Sequence, residues 1–332
     1  MEKLLSHLSH LEITSPDVEA SAAFYEQQFG MRIVDRVDGA TYLRCWGDHY
    51  RYSLIVTEGP EPALTRMAWR TESAEALEVA AGRVQDAGIT GTWSDSGHGY
   101  GRAFEFEGPY GHPIRLFWEV DRFEADAAHA SIFPDRPEKR SSHAGAPRFL
   151  DHVTIASTDV DGFAAWHRDV LGFRLMARTQ LDDTDVSVFS VLTTNEKSHD
   201  LGVVLDHSTR AGRVNHIAFW VDTNEELRIC ADVLMENGTP MESGPGVHGI
   251  GEQQYLYFRE PSGLRVELNS GGYRNYLPDW EPNTWTPGLG GSNFYRNAPI
   301  PQSIFESFPA ADGLTATEDG VHPDMRAALI NS

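Results

Sequence analysis

"SHLEITSPDVEASAAFYEQQFGMRIVDR", residues 9–36, returns as "DHVTIASTDVDGFAAWHRDVLGFRLMAR", residues 151–178. Each copy opens on a histidine, His10 or His152, inside a short alternating strand. Asp17-Val18 and Asp159-Val160 follow. An aspartate there accepts from the free amides of a first helical turn, so each marks a helix start. The helix carries Phe24-Tyr25 in one copy and Trp166-His167 in the other. Each is expected to end at Phe29-Gly30 or Leu171-Gly172, glycine supplying the left-handed residue that closes a helix. Both histidines and both glycines are displaced by the same interval, so the copies align without a gap.

The repeat continues outward. "RMAWRTESAEALEVAAGRVQDAG" (66–88) and "HIAFWVDTNEELRICADVLMENG" (216–238) share the pattern strand, cap, helix, glycine. "GRAFEFEGPYGHPIRLFWEV" (101–120) parallels "QQYLYFREPSGLRVELNS" (253–270), with Pro109-Tyr110-Gly111 standing opposite Pro261-Ser262-Gly263. Proline and glycine between two alternating runs mark a tight turn. The chain therefore reads as four strand–helix–strands units, two per half. The expected division is 1–133, a linker at 134–149 in a Pro- and charge-rich stretch, 150–270, and a Gly/Pro-rich aromatic tail at 271–332 that packs over the second half near its active site.

Composition narrows the function. The 332 residues are 40% hydrophobic and 11% aromatic, enough to fill real cores. A formal net charge of -22 repels phosphates, which argues against nucleic acid and anionic membranes as partners. Cys45 and Cys230 have no CxxC spacing and suggest a reducing compartment. No signal peptide and no spanning segment is read, so a cytoplasmic protein is expected.

Duplication supplies an internal comparison of chemistry. His10 corresponds to His152, Arg66 to His216 and, counting from the shared Pro-x-Gly, Arg115 to Glu267. Taken singly, each residue of the second half has an ordinary explanation. A histidine at a strand start is commonly structural, and Arg265 lies two residues from Glu267 on the same strand face as an ion-pair partner. The coincidence outweighs this. Three ligand-type side chains hold equivalent repeat positions, and two of those positions carry arginine in the sister half. Two neutral imidazoles and one carboxylate on one face of an ion, with the opposite face open, is the arrangement used by non-haem Fe(II) oxygenases.

"GVHGIGEQQYLYFREPSGLRVE" (246–267) resembles the signature of the type I extradiol ring-cleavage dioxygenases of the vicinal oxygen chelate superfamily. The matching elements are Gly246, His248, Leu256-Tyr257, Glu260-Pro261, Gly263 and Glu267, and the layout covers both halves from about Leu8 to Ser270. The resemblance implies an α+β fold of four βαβββ modules forming two half-barrel domains. It implies Fe(II), with Mn(II) as the alternative, held by His152, His216 and Glu267. It makes His199, in "KSHDLGVVL", the active-site acid/base, and His248 with Tyr257 the pair that holds the substrate oxygen; Tyr255 shares the face of Tyr257, leaving open which of the two points in. It implies a catecholic substrate, O2, and a homo-oligomer, a tetramer by family habit. Family members acting on carboxylated diols are expected to present arginines, some from the tail. Here "GLGGSNFYRNAP" (288–299) has Ser292-Asn293, and Ser243 and Val247 stand near His248. That departure favours an uncharged catechol or alkylcatechol over a homoprotocatechuate-type substrate, with Arg274 and Arg296 the nearby cations that would restore an anion site. A keto-acid dioxygenase or a glyoxalase-like isomerase on the same fold, and a non-enzymatic binding protein, are the competing readings. The retained triad speaks against the last.

Overall fold

The computed structural model describes residues 3–143, 145–182, 184–208, 210–291 and 301–311. The first half runs β1 (Leu5–Ser15), α1 (Val18–Gln27), β2 (Arg32–Val37), β3 (Ala40–Arg44), β4 (Leu54–Glu58), β5 (Ala63–Thr71), α2 (Ala74–Asp86), β6 (Gly91–Ser94), β7 (Ala103–Glu107) and β8 (Pro113–Phe117). The second runs β9 (Phe149–Ser157), α3 (Val160–Leu171), β10 (Arg174–Gln180), β11 (Ser187–Thr193), β12 (Leu201–Leu205), β13 (Val214–Trp220), α4 (Asn224–Glu236), β14 (Met241–Val247), β15 (Gln253–Arg259) and β16 (Arg265–Gly271), with a short β17 (Asn283–Trp285) from the tail. No helix among the described residues is long and apolar enough to cross a membrane.

Local chemistry sets the helix starts. Asp17, Ser73 and Asp159 each accept from the backbone three residues on, and Thr223 forms a reciprocal capping box with Glu226. Gly172 closes α3 in the left-handed conformation at φ 78°. The first copy differs from the expectation at Gly30. Helix α1 is capped two residues earlier, by Gln28, and the left-handed turn follows at Gly30, φ 79°. The intervening Phe29 is swung into the core, where it is fully buried against Phe219 and Phe258.

The sheets have one topology written twice. The first is ordered β2-β3-β4-β1-β5-β8-β7-β6; the second is β10-β11-β12-β9-β13-β16-β15-β14, with β17 added beside β10. Register matches too. Ala68 pairs with both His10 and Arg115, and Ala218 pairs with both His152 and Glu267. The two sheets and four helices share one apolar core, into which Phe24 of α1 and Phe29 just beyond its cap project against Phe258 and Phe219 of the other half. The opposite face of each curled sheet is a cup with its own smaller apolar cluster.

The stretch read as a linker is tied down. Glu138, only 4% exposed, accepts from Arg44 and pairs with Arg32, both on the first sheet. Tail residues 301–311 lie against β13 and β16, where Phe308 and Val214 exchange backbone hydrogen bonds of 2.6 and 2.8 Å. Cys45 and Cys230 are buried and unpaired.

Candidate metal centre

Two β-bulges prepare the second cup. Between β9 and β13 the register jumps from His152↔Ala218 to Leu150↔Phe219, which leaves Asp151 as an extra residue. It jumps again from Val214↔Ile155 to His216↔Thr154, which leaves Asn215 extra. A bulged residue is turned out of the strict strand alternation, so its side chain joins the face of its neighbour. Here both acquire the same task. Asp151 Oδ2 stands 2.8 Å from His152 Nδ1, and Asn215 Oδ1 stands 2.8 Å from His216 Nδ1.

Those contacts settle the tautomers. The Asn215 amide nitrogen donates to the carbonyls of Ile304 (2.9 Å) and Glu306 (3.1 Å), so its oxygen is the end facing His216 and must accept. The Asp151 carboxylate accepts as well. It is held in place by Gln253 (3.2 Å), Asn269 (3.0 Å) and Lys197 (3.2 Å). Each neutral imidazole thus carries its proton on Nδ1 and presents a bare lone pair at Nε2.

The two Nε2 atoms are 3.1 Å apart, and each lies 3.1 Å from Glu267 Oε2. All three residues are buried. Among the described residues neither carboxylate oxygen of Glu267 has a hydrogen-bond partner, an arrangement that is costly unless a cation sits among the lone pairs. The triangle has the right size. Three ligands at right angles, each about 2.2 Å from a common centre, stand about 3.1 Å from one another. The residues therefore fit a divalent ion bound on one face. Electrostatics agree: against burial, which favours the neutral acid, His152 holds the Glu267 carboxyl well below the usual range. Burial pushes His216 down to about 4, whereas against burial Glu267 and Asp151 raise His152 to about 9. A positive charge among these three groups is what the site is built to keep.

The other expected residues gather around the triad. The His199 ring centroid is 4.3 Å from that of His152. Burial, then the neighbouring His152, lower His199 well below the ordinary histidine value, which keeps its ring neutral. Ser198 Oγ stands 3.3 Å from its Nδ1. His248 Nε2 is 3.1 Å from the Tyr257 hydroxyl and 3.7 Å from Glu267 Oε1. Tyr257 lies in the same pairing row as Glu267, its ring 5.3 Å from that of His216. Both tyrosines face the cup. Tyr257 meets the triad, while Tyr255 stacks beneath His248 at 4.0 Å and 14°. Arg265 does not pair with Glu267. It turns to the Glu242 carboxylate (2.9 and 3.0 Å) and to the carbonyls of Asn215 and Glu306 (2.9 Å each).

An apolar cluster lines part of the same cup. Met176, Ala177, Val191 and Ile250 form a buried cluster, joined by Phe189, Tyr273, Trp280 and Trp285. Val191 lies in one row with Gly202, Thr154 and His216 across β11, β12, β9 and β13, which places it on the triad's face. Ser243 stands opposite Tyr257 and Val247 opposite Gln254, with no cation at either place. Arg274 lines a different space, a cleft of about 400 Å³ between the halves, together with His7, Tyr50, Lys197 and Asp151. Ser292, Asn293 and Arg296 lie outside the described residues.

The first cup is the counter-example. Arg115, at the position equivalent to Glu267, reaches Glu105 at 2.7 Å and also Glu12, while Arg66 reaches Glu105 at 3.1 Å. His10 stands 3.4 Å from the Arg115 guanidinium. There the cation is a side chain. Sequence reasoning missed Asp151 and Asn215, although both left a trace: a polar residue directly precedes each ligand histidine in "LDHV" and "VNHI".

Comparison with known proteins agrees with this architecture. The profile of the Glyoxalase/Bleomycin resistance protein/Dioxygenase superfamily matches residues 7–116 and 149–268. The manganese-dependent 2,3-dihydroxybiphenyl 1,2-dioxygenase of Geobacillus genomosp. 3 is 32% identical over 285 residues, 85% of this chain and 90% of that protein. The metapyrocatechase of Geobacillus stearothermophilus is 30% identical over 291 residues, 86% of this chain and 88% of its own. Among solved structures, a variant of homoprotocatechuate 2,3-dioxygenase from B. fuscum superimposes with a TM-score of 0.81 at 24% identity, over 91% of this chain and 81% of that one, a likeness of fold. Duplicated half-barrels, a two-histidine, one-glutamate triad in the second of them, and similarity along most of the chain place this protein in the Glyoxalase/Bleomycin resistance protein/Dioxygenase superfamily, among its extradiol ring-cleavage dioxygenases.

Proposed function

We propose that the chain opens catechols beside the diol with O2, using a divalent ion held by His152, His216 and Glu267, and that its preferred substrates are uncharged catechols or alkylcatechols. The observation that carries this is the 3.1 Å triangle of two Nε2 atoms and one carboxylate oxygen, with His199 and the His248–Tyr257 pair around it. A divalent ion held by these three residues would supply the positive charge that lowers the pKa of a catechol hydroxyl and draws the diol and O2 together.

The chain's own groups do the rest. His199 takes a proton from the diol and returns one as the ring opens. His248 and Tyr257 hydrogen-bond the substrate oxygen and keep it in place as charge builds on it. Tyr257 remains a phenol, since burial and the Glu267 charge raise its pKa well above the ordinary value. Both atoms of O2 enter the product, a ring-opened semialdehyde bearing a new carboxylate. The wall of Val191, Phe189, Ile250 and Trp285 supports an apolar ring substituent, and the commitment of Arg265 to Glu242 leaves that cation unavailable to a substrate carboxylate. Relatives are named both manganese-dependent and iron-dependent, so either ion is loaded in the test. The reading includes a cytoplasmic homotetramer, checked by light scattering of the purified protein.

Metal-free protein is reconstituted without oxygen, in parallel with Fe(II) and Mn(II), then given catechol, an alkylcatechol or homoprotocatechuate and exposed to air. A yellow product, formed faster from the uncharged diols, is expected. No coloured product from any diol with either ion overturns the proposal.

A further inference from the structure

The second ligand histidine is oriented from outside its own sheet. Asn215 presents its oxygen to His216 only because its nitrogen is claimed by two carbonyls, of Ile304 and Glu306, in the tail. An unconstrained asparagine presents either end, and an amide nitrogen facing Nδ1 would force the imidazole proton onto Nε2, where an ion is to bind. The same tail segment is fastened on both sides of Asn215. Phe308 pairs with the Val214 backbone, and Arg213 donates to the carbonyls of Ser307 (2.9 Å) and Pro309 (2.8 Å). Arg265, fully buried and two residues from Glu267, clamps the Asn215 and Glu306 carbonyls together. The Phe308 ring, 4% exposed, packs over the Arg259 and Arg265 guanidiniums. His152 has no such dependence. Its partner Asp151 is a carboxylate, with the same acceptor at either end, and is held by Lys197, Gln253 and Asn269 from within the domain.

We propose that residues 301–311 are a strap that sets the binding-competent tautomer of His216 through Asn215, so that Asn215 is a positioning residue for the metal although it touches neither ion nor substrate. This rests on the metal reading of the triad above.

Full-length, metal-free protein and three variants are titrated with Mn(II) alone, followed by the absorption spectrum of the Co(II)-loaded form and by the melting temperature of the metal-free form. Asn215→Leu removes the acceptor and is expected to weaken Mn(II) binding roughly 10- to 100-fold, the range for lost outer partners of a ligand histidine, and to change the Co(II) spectrum. Asn215→Asp keeps an acceptor at either end, and is expected to hold Mn(II) within a few-fold of the parent even though its ties to the strap are lost. Phe308→Ala loosens the strap away from the ion, and is expected to weaken Mn(II) while the melting temperature of the metal-free form stays near that of Asn215→Asp. If Asn215→Leu fails to fold, the contrast of Phe308→Ala with Asn215→Asp carries the test. Equal Mn(II) affinity and Co(II) spectra for Phe308→Ala and the parent overturn the strap, and equal loss in Asn215→Leu and Asn215→Asp overturns the tautomer. No Mn(II) binding to the parent sinks the metal reading itself, and this inference with it.

Discussion

His152, His216 and Glu267 act as a unit, because each lone pair lies 3.1 Å from the other two. His152→Ala or Glu267→Ala removes one corner, and elemental analysis of the oxygen-protected protein is expected to show loss of metal together with loss of activity. Full metal content in either variant would remove that residue from the set. His199 stands apart from the triangle, its ring tilted at 54° against that of His152 without sharing its corner. His199→Asn is expected to keep the ion and lose roughly 10²- to 10⁴-fold in kcat, the usual worth of a positioned acid/base. A variant with parental kcat, measured on metal-replete protein, would leave His199 a packing residue.

Hairpin turns and strand pairs offer tests one level up. Gly111 and Gly263 close sister turns with φ of 82° and 94°. A Cβ at Gly263 meets nothing, whereas at Gly111 it would lie 2.4 Å from Ala211 Cβ and 3.0 Å from the Gly212 nitrogen. Gly263→Ala is expected to cost about 1 kcal/mol from the left-handed backbone alone, and Gly111→Ala roughly 2–4 kcal/mol once the overlap is added. Denaturant midpoints of the pair check the ranking. Glu242 of β14 ties β15 and β16 together. Burial opposes its ionisation, yet Arg265 and Arg259 depress its pKa to about 2. A depressed carboxylate stabilises the fold above its unfolded pKa and loses that contribution as pH falls from about 4.5 to about 2. The contribution is about 3 kcal/mol, so Glu242→Gln is expected to flatten the fall in stability over that window. Much of this level was legible in the chain. The gapless first repeat put His10 with His152, the shared Pro-x-Gly turn put Arg115 with Glu267, and the ladders pair each with an equivalent alanine, Ala68 or Ala218. The bulges at Asp151 and Asn215 were not legible, since an extra residue in a strand alters no composition and only slightly alters periodicity. Nor was the strap, because Ile304, Glu306, Ser307 and Pro309 hold the site by main-chain oxygens, which every residue possesses.

The whole molecule is two outward cups on one core. Phe24 of α1 and Phe29 after it lie among Phe219 and Phe258, Trp69 meets Phe173, and Ser21 donates to Glu260 of the other half at 2.7 Å. Neither half has a complete apolar interior of its own. Unfolding is expected as one transition, with near-ultraviolet and far-ultraviolet circular dichroism falling together; two separated steps would mean that the halves are energetically independent. The cups nevertheless mature differently. Arg115 brings its positive charge on a covalent tether, so the amino-terminal lobe is electrically finished as soon as translation and folding are over. Its twin waits for an ion from solution. In cells starved of transition metals, newly made chains would therefore be complete on one side and still lack their cation on the other.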